Sequence, residues 1–546
     1  MELLFSVFIL TLSVYSVVQA APWLPPRYDG GLPARCSSTA LQLPTFNNLH
    51  VLNVDARLFQ NYTLGLPPIP GLEEVLGGAV PSITGLNFCN VTVTYTHPGW
   101  NDSVNVNTFL PFEWNGRFLA NGGGGFVTGS PQTAMLTMLL GQTQAYAQSN
   151  TDGGHTGDPS PSNPWPLTST GNLNWPLLVD FSSSALHDMA VVGKAVIQTF
   201  YHTAPKYSYF YGGSTGGRQG HMLAQRYPED FDGIVGHYPA IYWNRILASM
   251  AWPVFMMDRL SYYPPPCELD AITSAAIAEC DEQDGVKDGI ISHPSLCEFD
   301  PESFVGKEAS CNGTSRTISS EAATIMRAAW EGPRSSTGEF QWYGYNPGTN
   351  ISAPGGIAYN ICDAQGNNCT PQPFSIPYQW ASYFVKKDPT YTLRNISHEE
   401  WDEIVHNAVV EFESIIETND VDLTKLRKSG TKLLNWHGTG DPLIPVNGSS
   451  HYYDRVLAQQ PDAPGYYRLF IAPGAVHGFT EGIAPRMESV LTQMVDWVEK
   501  GVTPETLFAQ GTSTEGVLMK RDLCLYPRVQ HYTGGNFTSA SSYTCV

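Results

Sequence analysis

Tyr207-Ser-Tyr-Phe-Tyr-Gly-Gly-Ser214-Thr-Gly-Gly-Arg-Gln219 is the stretch on which the reading of this chain turns. An aromatic, strand-like run ends in Gly212-x-Ser214-x-Gly216 and passes into a helix-like segment reaching about Tyr227, where Pro228 stops it. Glycines flank the serine because so sharp a strand-to-helix turn leaves no room for neighbouring side chains. Such a turn holds Ser214 at a strand's carboxyl end, against a helix N-terminus whose unpaired N–H groups favour developing negative charge. An ordinary β–α loop can carry the same pentapeptide, so its meaning depends on the residues downstream.

A serine nucleophile needs a base and a group that orients the base. Lys432-Leu-Leu-Asn-Trp-His-Gly-Thr-Gly-Asp441 reads as an apolar strand running into a glycine turn that presents Asp441. Tyr466-Tyr-Arg-Leu-Phe-Ile-Ala-Pro-Gly-Ala-Val-His477 reads as another strand and turn, presenting His477. Serine, acid and histidine in this chain order, each at a strand end, point to an α/β-hydrolase fold. Ser214 would attack, His477 would take and return the proton, and Asp441 would hold the imidazole tautomer. Asp232 and His437 are the rivals. Asp232 opens an Asp-Gly turn, and His437 precedes its strand's turn, where a packed structural histidine also fits. An ester's tetrahedral intermediate needs oxyanion donors as well. The N–H of Thr215 is one, and Asn121-Gly-Gly-Gly-Gly125 offers a second through Gly123 or Gly124.

Ser214-Thr-Gly-Gly-Arg-Gln219 and Tyr227-Pro-Glu-Asp-Phe-Asp-Gly233 together resemble the tannase and feruloyl esterase family of fungi and bacteria. The likeness runs through Trp114-Asn-Gly-Arg-Phe-Leu119, Thr151-Asp-Gly-Gly-His155 and Cys280-Asp-Glu-Gln-Asp-Gly-Val-Lys-Asp-Gly289. It continues in Gly440-Asp441, Pro473-Gly-Ala-Val-His477 and Leu523-Cys-Leu-Tyr-Pro-Arg528. The resemblance implies a carboxylic ester hydrolase acting on aromatic acid esters, feruloyl or galloyl, small or linked to polysaccharide, with no organic cofactor. It also implies a structural Ca2+ held by the side chains of Asp281, Asp284 and Asp288 and the backbone oxygens of Val286 and Ile290. Taken without the family, those carboxylates and their Asp-Gly turns read equally as solvated turn sequence.

One departure bears on the chemistry. The family pattern places a cysteine directly before the serine and another directly after the histidine, joined by a disulfide; here those positions are Gly213 and Gly478. The serine–histidine geometry must then rest on packing, which two glycines are expected to loosen. An alternative enzymatic reading is an esterase or acyl-transferring enzyme of a specialised metabolic pathway. A silent binding glycoprotein is the reading from another class, and the presence of Ser214, Asp441 and His477 together argues against it.

The chain as a whole sets the context. Residues 1–20 hold an apolar stretch from Leu3 to Val18 and then Val18-Gln-Ala20, which reads as a secretory signal peptide and cleavage site. The destination is extracellular, or the lumen of the secretory pathway or vacuole. Asn-x-Ser/Thr sequons begin at Asn61, Asn90, Asn101, Asn312, Asn350, Asn368, Asn395, Asn447 and Asn536, suiting a glycosylated surface. The ten cysteines are even in number, as disulfides in an oxidising compartment require. Proximity and the family resemblance pair Cys280 with Cys297 and Cys524 with Cys545; Cys36 with Cys89 is a further candidate. Cys267, Cys311, Cys362 and Cys369 stay unassigned. A net charge of −21 argues against nucleic acid as a partner, and no later segment has the ~18 unbroken apolar residues of a membrane span.

Strand-like and helical runs alternate over residues 21–240 and again over 425–546, predicting one α/β-hydrolase core with a mostly parallel, helix-covered sheet. Residues 241–424 are rich in Pro, Trp, Tyr and Cys and read as a large inserted lid domain carrying the calcium loop. The aromatic residues there serve either as the lid's own small core or as walls for a planar acyl group.

Overall fold

The computed structural model describes residues 31–65, 82–129, 144–311, 313–363, 365–478, 482–512 and 517–546; the leader read at 1–20 lies outside them. Nine strands form the main sheet: β1 (His50–Gly65), β2 (Ser82–Thr96), β3 (Val104–Pro111), β4 (Arg117–Asn121), β5 (Ala147–Thr151), β6 (Tyr207–Gly213), β7 (Gly233–His237), β8 (Lys432–Gly438) and β9 (Tyr467–Ala472). Their spatial order is β1-β2-β3-β5-β4-β6-β7-β8-β9. The ladders from β1 to β5 are antiparallel, and every ladder from β5 onward is parallel. The strands' burial follows that change. β3 alternates buried with half-buried residues, as an antiparallel strand with one wet face does. β6, β7 and β8 are buried almost throughout, because helices cover both faces of a parallel sheet.

Alternation along β6 feeds two cores. Phe210 joins Phe181 of α1 (Trp175–Ser182) and Leu186, Met189, Val196 and Leu223, which lie on helices α2 (Ser184–Tyr201) and α3 (Thr215–Arg226). Tyr209 and Tyr211 point the other way and join Val490, Leu491, Met494 and Trp497 of a C-terminal helix, Met487–Lys500. A three-stranded antiparallel sheet from residues 484–524 extends this second core.

Between β7 and β8 the chain leaves the sheet. It forms α4 (Trp243–Leu260), α5 (Pro266–Cys280), α6 (Ser320–Glu331) and α7 (His398–Ile416), with two short antiparallel ribbons. The first turns of α6 and α7 are capped by Ser319 and Ser397, whose hydroxyls accept the N–H groups of Ala322 and Glu400. This segment shares one continuous apolar core with α2 and α3. Arg218 of α3, fully buried, ties the two together. Its guanidinium donates to the carbonyls of Phe181 and Ser182 at 3.0 Å and of Ile416 at 3.4 Å, all at helix carboxyl ends. Those ends carry partial negative charge and offset part of the cost of burying the cation. That cost and nearby Arg226 draw the Arg218 pKa down to about 9.

All ten cysteines pair. Cys36–Cys89, Cys280–Cys297 and Cys524–Cys545 form as expected, and the unassigned four resolve as Cys267–Cys311 and Cys362–Cys369.

Candidate active site

β6 ends at Gly213 and α3 begins at Thr215, so Ser214 alone makes the turn, with φ 62° and ψ −122°. A non-glycine residue there is strained and persists only where its surroundings hold it. Three backbone bonds do so: Ser214 N–H to the His237 carbonyl at 3.2 Å, Arg218 N–H to the Ser214 carbonyl at 3.0 Å, and Ala240 N–H to the same carbonyl at 3.2 Å. The flanking glycines answer to close approach. A Cβ on Gly212 would stand 2.6 Å from the Gly216 backbone, and one on Gly216 would stand 3.0 Å from the Gly123 carbonyl.

Asp441 lies three residues past β8 and His477 five past β9, at the same edge of the sheet. Asp441 is 3 % exposed and His477 7 %. Asp441 Oδ2 is 2.8 Å from His477 Nδ1, while Oδ1 accepts the N–H groups of Leu443 at 2.8 Å and Ile444 at 2.9 Å. A second imidazole also serves this acid. His437 Nε2 lies 3.2 Å from Asp441 Oδ2 and 3.1 Å from the Ile444 carbonyl, both acceptors, which puts the proton on Nε2. Its Nδ1 then accepts the Ser449 hydroxyl at 2.8 Å. Burial alone would raise the Asp441 carboxyl. The His477 imidazole, then the hydrogen bonds from His437 and His477, outweigh it and hold the group well below the usual carboxylate range.

The two rivals fall elsewhere. His437 supports the acid. Asp232 accepts the Ser208 N–H at 2.7 Å, at the end of β6 away from Ser214.

Tyr238, directly after β7, packs on both sides of the site. A Cβ on Gly213 would be 2.4 Å from its Cζ, and its ring centroid is 4.8 Å from that of His477. Two rings, those of His237 and Tyr238, fill the space that the missing side chain of Gly213 leaves, so packing stands where the family's cysteine would be. The oxyanion expectation changes. The amide of Gly123 donates to Gln219 Oε1 at 2.9 Å and that of Gly124 to the Val127 carbonyl at 3.0 Å, so both are engaged. Among the described residues the amides of Thr215 and Gly125 make no such bond, and the Thr215 hydroxyl donates to the Gly125 carbonyl at 2.7 Å.

Residues of the inserted segment border these loops. Tyr345 donates its hydroxyl to the Leu443 carbonyl at 3.0 Å, and Asn346 Nδ2 donates to the Thr439 carbonyl at 3.0 Å, bracketing Asp441. Ile290 packs on the histidine turn: its Cγ2 would be 3.0 Å from a Cβ on Gly474.

Ile290 belongs to the expected calcium loop. There the Asp281 carboxylate accepts the N–H groups of Asp288, Gly289 and Ile290 at 2.9–3.2 Å, and Asp284 Oδ1 accepts that of Val286 at 3.1 Å. Asp288 Oδ2 receives Arg521 at 2.6 Å. Burial first, then the Asp284 and Asp281 carboxylates, push Asp288 up to about 6 despite Arg521. An all-oxygen set of three acids against one arginine suits a hard divalent cation. The three are spread more widely than His97, Asp102 and Asp180, the one trio among the described residues with ligand atoms within 4.8 Å of one another. In that trio both His97 ring nitrogens are already engaged, with Asp102 at 2.5 Å and Asp188 at 3.0 Å.

Comparison with known proteins agrees with this geometry. Residues 89–546 match the family model described as "Tannase and feruloyl esterase". A "Probable feruloyl esterase" of Arthroderma benhamiae is 39% identical over 517 residues, covering 92% of each chain. A "Tannase" of Aspergillus oryzae is 28% identical, covering 91% of this chain and 92% of its own. Among solved structures, the tannin acyl hydrolase from Aspergillus niger superposes with a TM-score of 0.81 at 26% identity over 96% of both chains. Feruloyl esterase B from Aspergillus oryzae gives 0.77 at 25% identity over 94% of this chain and 100% of its own. With an α/β-hydrolase sheet, an elbow serine and a family match across most of its length, the chain belongs to the tannase and feruloyl esterase family of carboxylic ester hydrolases.

Proposed function

We propose that the chain is a secreted serine esterase that cleaves esters of aromatic acids, of the feruloyl or galloyl type its relatives are named for. Ser214 Oγ attacks the ester carbonyl while His477 Nε2 takes its proton, and Asp441 holds the Nδ1–H that keeps Nε2 free as the base. The carbonyl oxygen, now anionic, accepts the N–H of Thr215 and that of Gly125 in the neighbouring loop. His477 returns the proton to the departing alcohol, leaving an acyl-serine. Water then repeats the sequence from the other side, releasing the acid and restoring Ser214. The observation that carries this reading is the 2.8 Å Asp441–His477 pair at the sheet edge where the strained Ser214 turn also lies.

The inserted segment 241–424 serves as a lid. The side chains of Asp281, Asp284 and Asp288, with carbonyls of Val286 and Ile290, would hold Ca2+, which when bound neutralises those acids. Through Ile290 the same loop braces the turn that presents His477. Secretion rests on the leader read at 1–20 and the five disulfides. No helix among the described residues is long and apolar enough to cross a membrane.

The test is to express the protein beside Ser214→Ala and assay both on p-nitrophenyl acetate, methyl ferulate, methyl gallate and a plain aliphatic ester. Ser214-dependent turnover of methyl ferulate or methyl gallate, lowered at least about 10³-fold in the variant, supports the reading. Turnover of the activated or aliphatic ester alone points to the specialised-pathway alternative. No Ser214-dependent turnover from folded, calcium-loaded protein overturns the proposal.

A further inference from the structure

Tyr238 is an outlier on three counts. Its φ is +30°, a conformation that bulky residues rarely adopt. It is 7% exposed, and its ring touches groups from each strand end that presents a proposed catalytic residue. The Gly213 backbone lies so close that a Cβ there would meet Tyr238 Cζ at 2.4 Å and Cε2 at 2.5 Å. His477 packs against it, rings 56° apart. Trp436 of β8 closes the third side, edge-on at 5.2 Å, and the Trp436 carbonyl accepts the Tyr238 N–H at 2.8 Å. His237 is stacked on Trp436 at 5.4 Å, and its carbonyl accepts the Ser214 N–H at 3.2 Å.

We propose that Tyr238 is a positioning residue: a ring wedged between the Ser214 turn and His477 that holds the imidazole at its working distance from the nucleophile by contact alone. The inference rests on the triad reading above. A side chain at position 213 and this ring cannot occupy the same space, so the bare glycine is what admits the wedge. At position 478 a φ of +101° likewise favours glycine over any residue that could bridge across. Strain at Tyr238 fits the role, because an unfavourable backbone persists where the surrounding contacts over-determine it. Burial, with the Asp441 carboxylate adding to it, raises its phenol well above the ordinary tyrosine range, so the wedge is an uncharged ring. Contact of this kind sets distance and angle without taking a proton, and comparing Tyr238→Phe with the ring-free variants separates the ring from its hydroxyl.

Tyr238→Phe, Tyr238→Leu, Tyr238→Ala and the reference Ser214→Ala test it on p-nitrophenyl acetate. Each is followed by kcat, KM, the pH profile of kcat/KM, the rate of Ser214 labelling by a fluorophosphonate, and the urea midpoint. Displacing the imidazole by a fraction of an ångström toward the vacated ring predicts a loss of kcat in Tyr238→Ala of roughly 10- to 100-fold, the order given by catalytic misplacement. KM should change less than about threefold, labelling should slow in parallel, and the pH profile of kcat/KM should change shape. Tyr238→Phe should stay within about threefold of the parent. If Tyr238→Ala does not fold, Tyr238→Leu, which fills volume without a flat ring, takes its place with the same expectation. Retention of kcat and the pH profile in the ring-free variants overturns the proposal, and so does an equal loss in Tyr238→Phe, which would put the role in the hydroxyl. Turnover surviving in Ser214→Ala would sink the triad reading instead, so the two failures are told apart.

Discussion

Replacing Gly212 by alanine tests how tightly the Ser214 turn is built. The added Cβ would lie 2.6 Å from both C and O of Gly216 and 2.8 Å from its Cα. Ordinary contact starts at 3.4 Å, so the shortfall is 3.4 − 2.6 = 0.8 Å. All three atoms are backbone, and no side chain can swing aside. Gly212 is not among the residues with positive φ, so alanine meets a steric obstacle and not a conformational one. β6 and α3 must part, and Ser214 is the residue that joins them. Taking about 100-fold per ångström of misplacement, 0.8 Å lowers kcat by roughly 40-fold. Gly220→Ala on the same helix is the control. Its Cβ meets Ile234 Cγ2 at 3.1 Å, a shortfall of 0.3 Å against a side chain that can yield, and helix propensity favours alanine. Its kcat should fall less than about fourfold. Steady-state kinetics on p-nitrophenyl acetate, normalised to sites titrated with a phosphonate, read both variants, and urea unfolding checks that each is folded. A folded Gly212→Ala protein within threefold of the parent, or a Gly220→Ala loss of equal size, would refute the argument.

Four further perturbations test other buried contacts. Asp180 is fully buried, with His97, Asp102 and Asp188 around it, and burial raises its carboxyl from 3.8 to about 7. A carboxyl raised in the folded state contributes stability that is complete below about pH 4 and lost as the pH climbs through 7. Asp180→Asn should therefore flatten the fall in the free energy of urea unfolding between pH 4 and pH 7, by up to about 4 kcal/mol; an unchanged slope would count against the assignment. Opening the Cys280–Cys297 bridge, which spans 17 residues, should cost about 3 kcal/mol by loop-closure entropy, and through Ile290 on Gly474 it should lower kcat as well. Chelating divalent cations should lower the same unfolding midpoint, and an unaffected midpoint would argue against Ca2+ in that loop. Arg218→Lys keeps the charge but cannot span the carbonyls of Phe181, Ser182 and Ile416. Losing two such bonds should destabilise by roughly 3 kcal/mol, and a change under about 0.5 kcal/mol would show that the fork contributes little.

What is readable in the chain is what depends on neighbours in sequence. An apolar run ending in glycines marks a buried strand and its turn, and for β6, β8 and β9 that suffices to place Ser214, Asp441 and His477 at one edge. What is not readable depends on partners brought from far away. Glycine richness at 122–125 says that a backbone can approach closely, but not which amide stays open. Gln219, 96 residues on, takes the N–H of Gly123. In sequence His437 looks like a rival base because nothing local shows that Ser449 occupies its Nδ1 and Asp441 its Nε2. The acidic loop at 281–288 reads as part of the lid alone, whereas its next residues pack on the histidine turn and its Asp288 meets Arg521 from the C-terminal strands. Long-range pairing of that kind leaves no periodicity or spacing behind in either segment.

Gly213 shows how the two kinds of information interact. Read alone, a glycine beside a nucleophile means backbone freedom, since glycine has more conformations to lose than any other residue. That inference holds only where nothing packs against the missing side chain. Here His237 Cε1 and Tyr238 Cζ would each lie 2.4 Å from the Cβ, so the rings fix the backbone from outside. A covalent tie resists separation of its two ends; packed rings resist approach through hard repulsion, while separation and rotation cost them dispersion contacts. Pulled apart, such a site loses only weak contacts and can give slightly, whereas pushed together it meets hard repulsion. The proposed triad is thus better guarded against compression than against opening.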